Sequence, residues 1–179
     1  MATIYVKDVE LRNIHRRYDL DISFNENLSV LHGKNGTGKS TLLHIIANVA
    51  NCDFLRFAFL EFDSIKVAYS DGSSIRIAQE KTESDVRIQV LTHDGCFISF
   101  LKSSALETIR EKEIEKSFSK YSQQPLVKEI RDFIASNNLK AVDISYFPAF
   151  RTMLEVWSSQ REASELAYRR VVRNSRVPA

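Results

Sequence analysis

Residues 33–40 read Gly-Lys-Asn-Gly-Thr-Gly-Lys-Ser, which fills every fixed position of the pattern Gly-x-x-x-x-Gly-Lys-[Ser/Thr]. No other segment limits the fold as strongly, because such a loop has to leave a buried strand and enter a helix. Its chemistry follows from its glycines. Phosphate oxygens need several donors converging on a small volume, and Gly33, Gly36 and Gly38 offer backbone N–H groups with no side chain in the way. Asn35 and Thr37 complete the cradle. Lys39 adds a point charge for the β- and γ-phosphates, the Ser40 hydroxyl suits a bridging magnesium ion, and Thr41 opens a helix whose unpaired N–H groups face the anion.

The flanks agree with this reading. Residues 27–32 read as a short strand with Leu28, Val30 and Leu31 apolar, and residues 42–50 read as a helix. A glycine-rich surface turn with a chance lysine would not carry both. Nucleotide binding is therefore the expected activity, with ATP and magnesium as the cofactors.

With 179 residues and 44 % hydrophobic content the chain can bury a core of its own. A net charge of +2 is too small to imply a polyanionic partner, since nucleic-acid binding leaves clustered basic charge. Cys52 and Cys96 are isolated, without metal spacing. Two free thiols and an N-terminus without an apolar leader point to a cytoplasmic protein. No stretch approaches the roughly 20 apolar residues that span a bilayer, so no membrane insertion is expected.

Two strands precede the loop, at 4–11 and 18–24, and a meander follows its helix: 57–69, 74–80, 85–91 and 96–101, with Asp71-Gly72 and Asp94-Gly95 marking hairpins. Residues 103–120 turn helical and charged, and Pro125 opens a helix that closes at Asn137-Asn138. A strand over 141–147 stops at Pro148, and a long helix covers 153–173. The expected class is α/β, organised as a P-loop core lobe with its meander over 1–102, then a helical insertion, strand and C-terminal helix of the same head over 103–179.

The run Phe24-Asn-Glu-Asn-Leu-Ser-Val-Leu-His-Gly-Lys-Asn-Gly-Thr-Gly-Lys-Ser-Thr-Leu-Leu43 resembles the start of an ABC-type ATPase head of the SMC, RecF and OLD-like class. In that class antiparallel strands lead into an Asn-Gly-x-Gly-Lys-Ser-Thr-Leu-Leu loop. Residues 2–50 carry the likeness, the hairpin meander resembles the antiparallel β-layer of such heads, and Ile144-Ser-Tyr-Phe-Pro-Ala-Phe-Arg151 is similar to the strand ending in Pro-x-x-Arg of OLD-type ATPases. The resemblance implies ATP binding that controls dimerisation of heads, in DNA repair or anti-phage defence. It implies as partners a second head or a chain supplying the missing lobe, and an effector subunit. It also implies a phosphate contact from a basic residue after the first strand, for which Arg16 and its neighbour Arg17 are the candidates beside a solvated turn. Tyr18 is either an adenine-stacking aromatic or a packed strand residue.

Hydrolysis in that class needs four apolar residues followed by Asp-Glu, and a Ser-Gly-Gly signature for the partner's nucleotide. Neither is present. Residues 57–63 imitate the acidic motif but lie close behind Lys39 and read better as a meander strand with alternating charges, so no catalytic residue is assigned. The complete dimeric head is expected to be the ATPase, and the isolated chain inactive. A scaffold that merely retains the loop and a fragment of a transporter ATPase are the alternatives. The series Arg161, Arg169, Arg170, Arg173 and Arg176 would suit DNA, but Glu155, Glu162 and Glu165 share its helix and favour an exposed face or the root of a coiled coil.

Overall fold

The computed structural model describes residues 4–115, 121 and 123–139. All of them fall in the first of two units, Met1–Ile144 and Ser145–Ala179. The expected strand over 141–147, the Pro-x-x-Arg segment, the helix over 153–173 and the arginine series lie outside the described residues.

Strands β1 (Val6–Ile14), β2 (Tyr18–Ser23), β3 (Ser64–Tyr69), β4 (Ser74–Lys81), β5 (Val86–Thr92) and β6 (Phe97–Leu101) form one antiparallel sheet in the order β2-β1-β3-β4-β5-β6. Alternation in the sequence sets its two faces. One ladder row crosses all six strands as Leu20, Leu11, Ile65, Ile77, Val90 and Ile98. The neighbouring row, one residue along, runs Asp21, Glu10, Lys66, Arg76, Leu91 and Phe97. A one-residue slip would exchange these rows, so burial of the first fixes the register. Lys66 Nζ donates to Glu10 Oε1 at 2.9 Å across the polar row.

Helix α1 (Lys39–Ala50) places Leu42, Ile45, Ile46 and Val49 in the core that the apolar row also joins, at the spacing of one helical face. Helix α2 (Lys102–Glu115) follows β6 directly and buries Ala105 and Ile109, and α3 (Pro125–Ser136) opens on Pro125 and buries Val127 and Ile130. Both Asp-Gly hairpins form, though through four-residue connections in which glycine alone takes positive φ: Gly72 N–H closes onto Tyr69 O at 3.1 Å, and Gly95 N–H onto Thr92 O at 3.1 Å.

Two expectations require correction. Residues 27–32 join no sheet among the described residues, and Leu28 and Val30 are 74 % and 75 % exposed. Apolar alternation reports a preference for pairing, whereas a strand exists only where another backbone accepts its hydrogen bonds. Residues 57–63 are not a meander strand either. Phe54–Phe59 is a 3-10 helix, with Phe54, Leu55, Phe57 and Ala58 buried, and the strand begins only at Ser64. Their spacing of one, three and four is helical, and it was readable in Phe-Leu-Arg-Phe-Ala-Phe.

Candidate functional site

Gly38 stands at the N-cap of α1 with φ of +87° and makes no side-chain cap, and the first turn contains no acid. The N–H groups of Lys39, Ser40 and Thr41 therefore lie at a helix end that is electrostatically open to an anion. The loop is braced from within. Lys39 Nζ donates to the carbonyls of Gly33 and Lys34 at 2.7 and 2.8 Å, and Thr37 Oγ1 donates to Lys34 O at 2.9 Å. These bonds turn the ammonium across the mouth of the loop, and positive φ at Gly33, Gly36 and Gly38 bends the backbone around it.

A cavity of about 720 Å³ opens over this cradle. Asn35, Gly36, Thr37, Gly38, Lys39, Ser40 and Thr41 line it, together with His15, Arg17, Tyr18, Phe59 and Glu61. Its size falls in the range of small-molecule and cofactor sites. Of the residues singled out from the sequence, Gly33 contributes its carbonyl to Lys39. Arg16 reaches Glu61 in the wall, Nε to Oε2 at 3.2 Å, while Arg17 lines the cavity directly.

The second wall is made of two turns fastened together. Asn13, within the ladder irregularity between Leu11 and Ile14 near the end of β1, and His15 and Arg16 in the β1–β2 connection take positive φ, a conformation that non-glycine residues adopt at a cost. His15 N–H donates to Glu61 O at 2.8 Å, Asp63 N–H to Arg12 O at 3.0 Å, and Asn13 Nδ2 to Asp63 Oδ1 at 3.0 Å. Glu61 and Asp63 thus belong to a connecting turn, and Glu61 faces the cavity. Sequence reading missed Phe59 altogether, because a strand assignment hid the 3-10 turn that carries it.

Tyr18 is half-buried, and its hydroxyl is sealed from solvent without a hydrogen-bond partner. It packs on Gly38: a Cβ added there would meet Tyr18 Oη first and Cζ at 2.8 Å. The hydroxyl end of Tyr18 thus packs on the loop, while the residue also lines the cavity. Among the described residues no group of three His, Cys, Asp or Glu is arranged to hold a metal ion, and no helix is long and apolar enough to cross a membrane.

Residues 5–167 match the AAA ATPase domain family, over most of the chain. The chain belongs to that family. Membership implies nucleotide binding, and it accords with the loop, the open helix end and the cavity above them. No curated protein matches the chain.

Proposed function

We infer that this AAA ATPase domain binds magnesium-ATP in the cavity over residues 33–41, as the nucleotide-binding lobe of an SMC, RecF or OLD-like head. The carrying observation is the conjunction of Lys39, braced on two carbonyls, with an uncapped helix end that has no acid in its first turn. The loop N–H groups and Lys39 would hold the phosphates by charge-assisted hydrogen bonds. Ser40, in the first turn of α1 and in the cavity wall, offers a hydroxyl to magnesium. A single protein hydroxyl fits this ion, which keeps most of its ligands as water and phosphate oxygens. Bound magnesium would supply charge neutralisation between the β- and γ-phosphates.

In this reading the nucleotide controls association with a second head, or with a chain bearing a further lobe, in DNA repair or anti-phage defence. Support comes from residues 27–32, which join no sheet among the described residues while Leu28 and Val30 are exposed. Such an apolar segment is suited to pairing with a strand from another lobe. Titration of the chain and of its Lys39→Ala variant with magnesium-ATP tests the binding step, and equal affinities would overturn it.

A further inference from the structure

The cradle explains the triphosphate half of a nucleotide but leaves the rest of the cavity wall without a purpose. Two aromatic residues stand in that wall, Tyr18 and Phe59. Tyr18 packs its hydroxyl end on Gly38 and is half-buried. Phe59 is 60 % exposed, a large apolar ring open to water at the end of a 3-10 helix whose other apolar side chains are buried.

The turn that presents Phe59 is held by side-chain as well as backbone hydrogen bonds. The Gln79 side chain on β4 donates from Nε2 to Phe57 O at 3.1 Å and to Leu60 O at 2.8 Å, and its Oε1 accepts from Phe62 N–H at 3.4 Å. Phe57 and Phe62 pack edge to face at 6.0 Å within the core, on either side of Phe59 in sequence. Glu61 O accepts from His15, and Arg16 pairs with the Glu61 carboxylate. One glutamine amide therefore satisfies three backbone groups of a turn whose exposed member is a phenyl ring. Preorganisation of this kind reduces the entropy lost when a ligand settles on the ring.

We propose that Phe59 is the nucleobase platform of this site, with Gln79 as the residue that positions it. This rests on the nucleotide-binding reading above. A planar base laid on the ring removes apolar surface from water on both partners, and stacking on an aromatic side chain tolerates any base because each has a π-face. Phe59 would then add affinity without reading the edges of the base.

The test is calorimetry on the full chain and on Phe59→Ala, Phe59→Tyr and Lys39→Ala, each titrated with magnesium-ATP and with magnesium tripolyphosphate, which has the phosphates and no base. Phe59→Ala should weaken ATP by about 5- to 150-fold and leave tripolyphosphate unchanged, Phe59→Tyr should hold both, and Lys39→Ala should weaken both. Because the ring is exposed, Phe59→Ala should melt with the parent protein. Gln79→Ala should follow Phe59→Ala in losing ATP selectively, which a merely structural role would not produce. Unchanged ATP affinity in Phe59→Ala overturns the platform, as does an equal loss for both ligands. Failure of the parent chain to bind either ligand would instead remove the nucleotide-binding reading, and the platform with it.

Discussion

Tyr18 and Gly38 meet where β2 backs onto the phosphate loop, and the contact leaves no room for a Cβ at position 38. Two independent constraints thus fall on one residue: φ of +87°, and a tyrosine hydroxyl lying where a side chain would begin. Positive φ alone costs a non-glycine residue about 1–2 kcal/mol. Gly38→Ala is expected to lower the melting temperature and to weaken nucleotide binding, since the positive φ disfavours a side chain and the added Cβ displaces either the loop or the Tyr18 ring. Tyr18→Phe is expected to do the opposite to stability. A buried hydroxyl without a partner costs about 1–3 kcal/mol, so deleting it should leave the melting temperature equal or higher. A clear fall in the Tyr18→Phe melt would show that the hydroxyl has a partner after all.

Lys39→Ala should weaken magnesium-ATP by about 1.5–3 kcal/mol, the range of a hydrogen bond to a charged group. The same change removes the two bonds from Nζ to Gly33 O and Lys34 O, so the loop itself should loosen. Hydrogen exchange of the 33–38 amides in the nucleotide-free protein is the measurement that separates the two effects. Faster exchange in the variant without nucleotide is expected, and unchanged exchange would mean that the brace carries no weight.

The loop, its helix and the hairpin meander were legible because each rests on local rules: glycines where positive φ is needed, apolar residues every second position, and turn residues between them. Two elements were not. Leu28 and Val30 have the composition of a strand, but pairing depends on a partner that local sequence does not contain. Phe54–Phe59 lay hidden because six residues with four buried members suit a strand or a short helix about equally until their spacing is counted. The consequence for the site was direct, since the misread turn carries both Phe59 and Glu61.

Stability should fall in acid at the junction of β5 and α2. Asp85 accepts from Ser103 Oγ at 2.5 Å and from Ser103 N–H at 3.4 Å, which caps the start of α2, the helix that packs on the 3-10 turn of the cavity wall. The hydrogen bond from Ser103, then that from the Val86 N–H, lowers the Asp85 carboxyl below its ordinary value of 3.8. A group whose folded value is depressed stabilises the fold above the unfolded value, and that contribution drains away as pH falls through the lower folded one. Melting temperature should therefore decline below about pH 4 in the parent protein and less steeply in Asp85→Asn. Parallel acid limbs for the two proteins would exclude Asp85 as a source.

Nucleotide is expected to drive association only with a chain that supplies a further lobe. A ligand favours a complex only through contacts that exist in the complex and not in the free chain. Residues 1–179 offer a phosphate cradle but no Ser-Gly-Gly signature to place on another chain's nucleotide. Sedimentation of residues 1–179 with magnesium-ATP should accordingly show one species, unchanged by the ligand. The segment 27–32, which joins no sheet among the described residues, gives this expectation a residue-level check. Val30→Asp, a charge in place of an exposed apolar side chain, should leave the loop's own bonds intact and tripolyphosphate binding unchanged, while weakening any nucleotide-dependent association that uses this segment. ATP-dependent dimers of residues 1–179 alone would contradict the head-lobe reading and favour a self-sufficient nucleotide-binding domain.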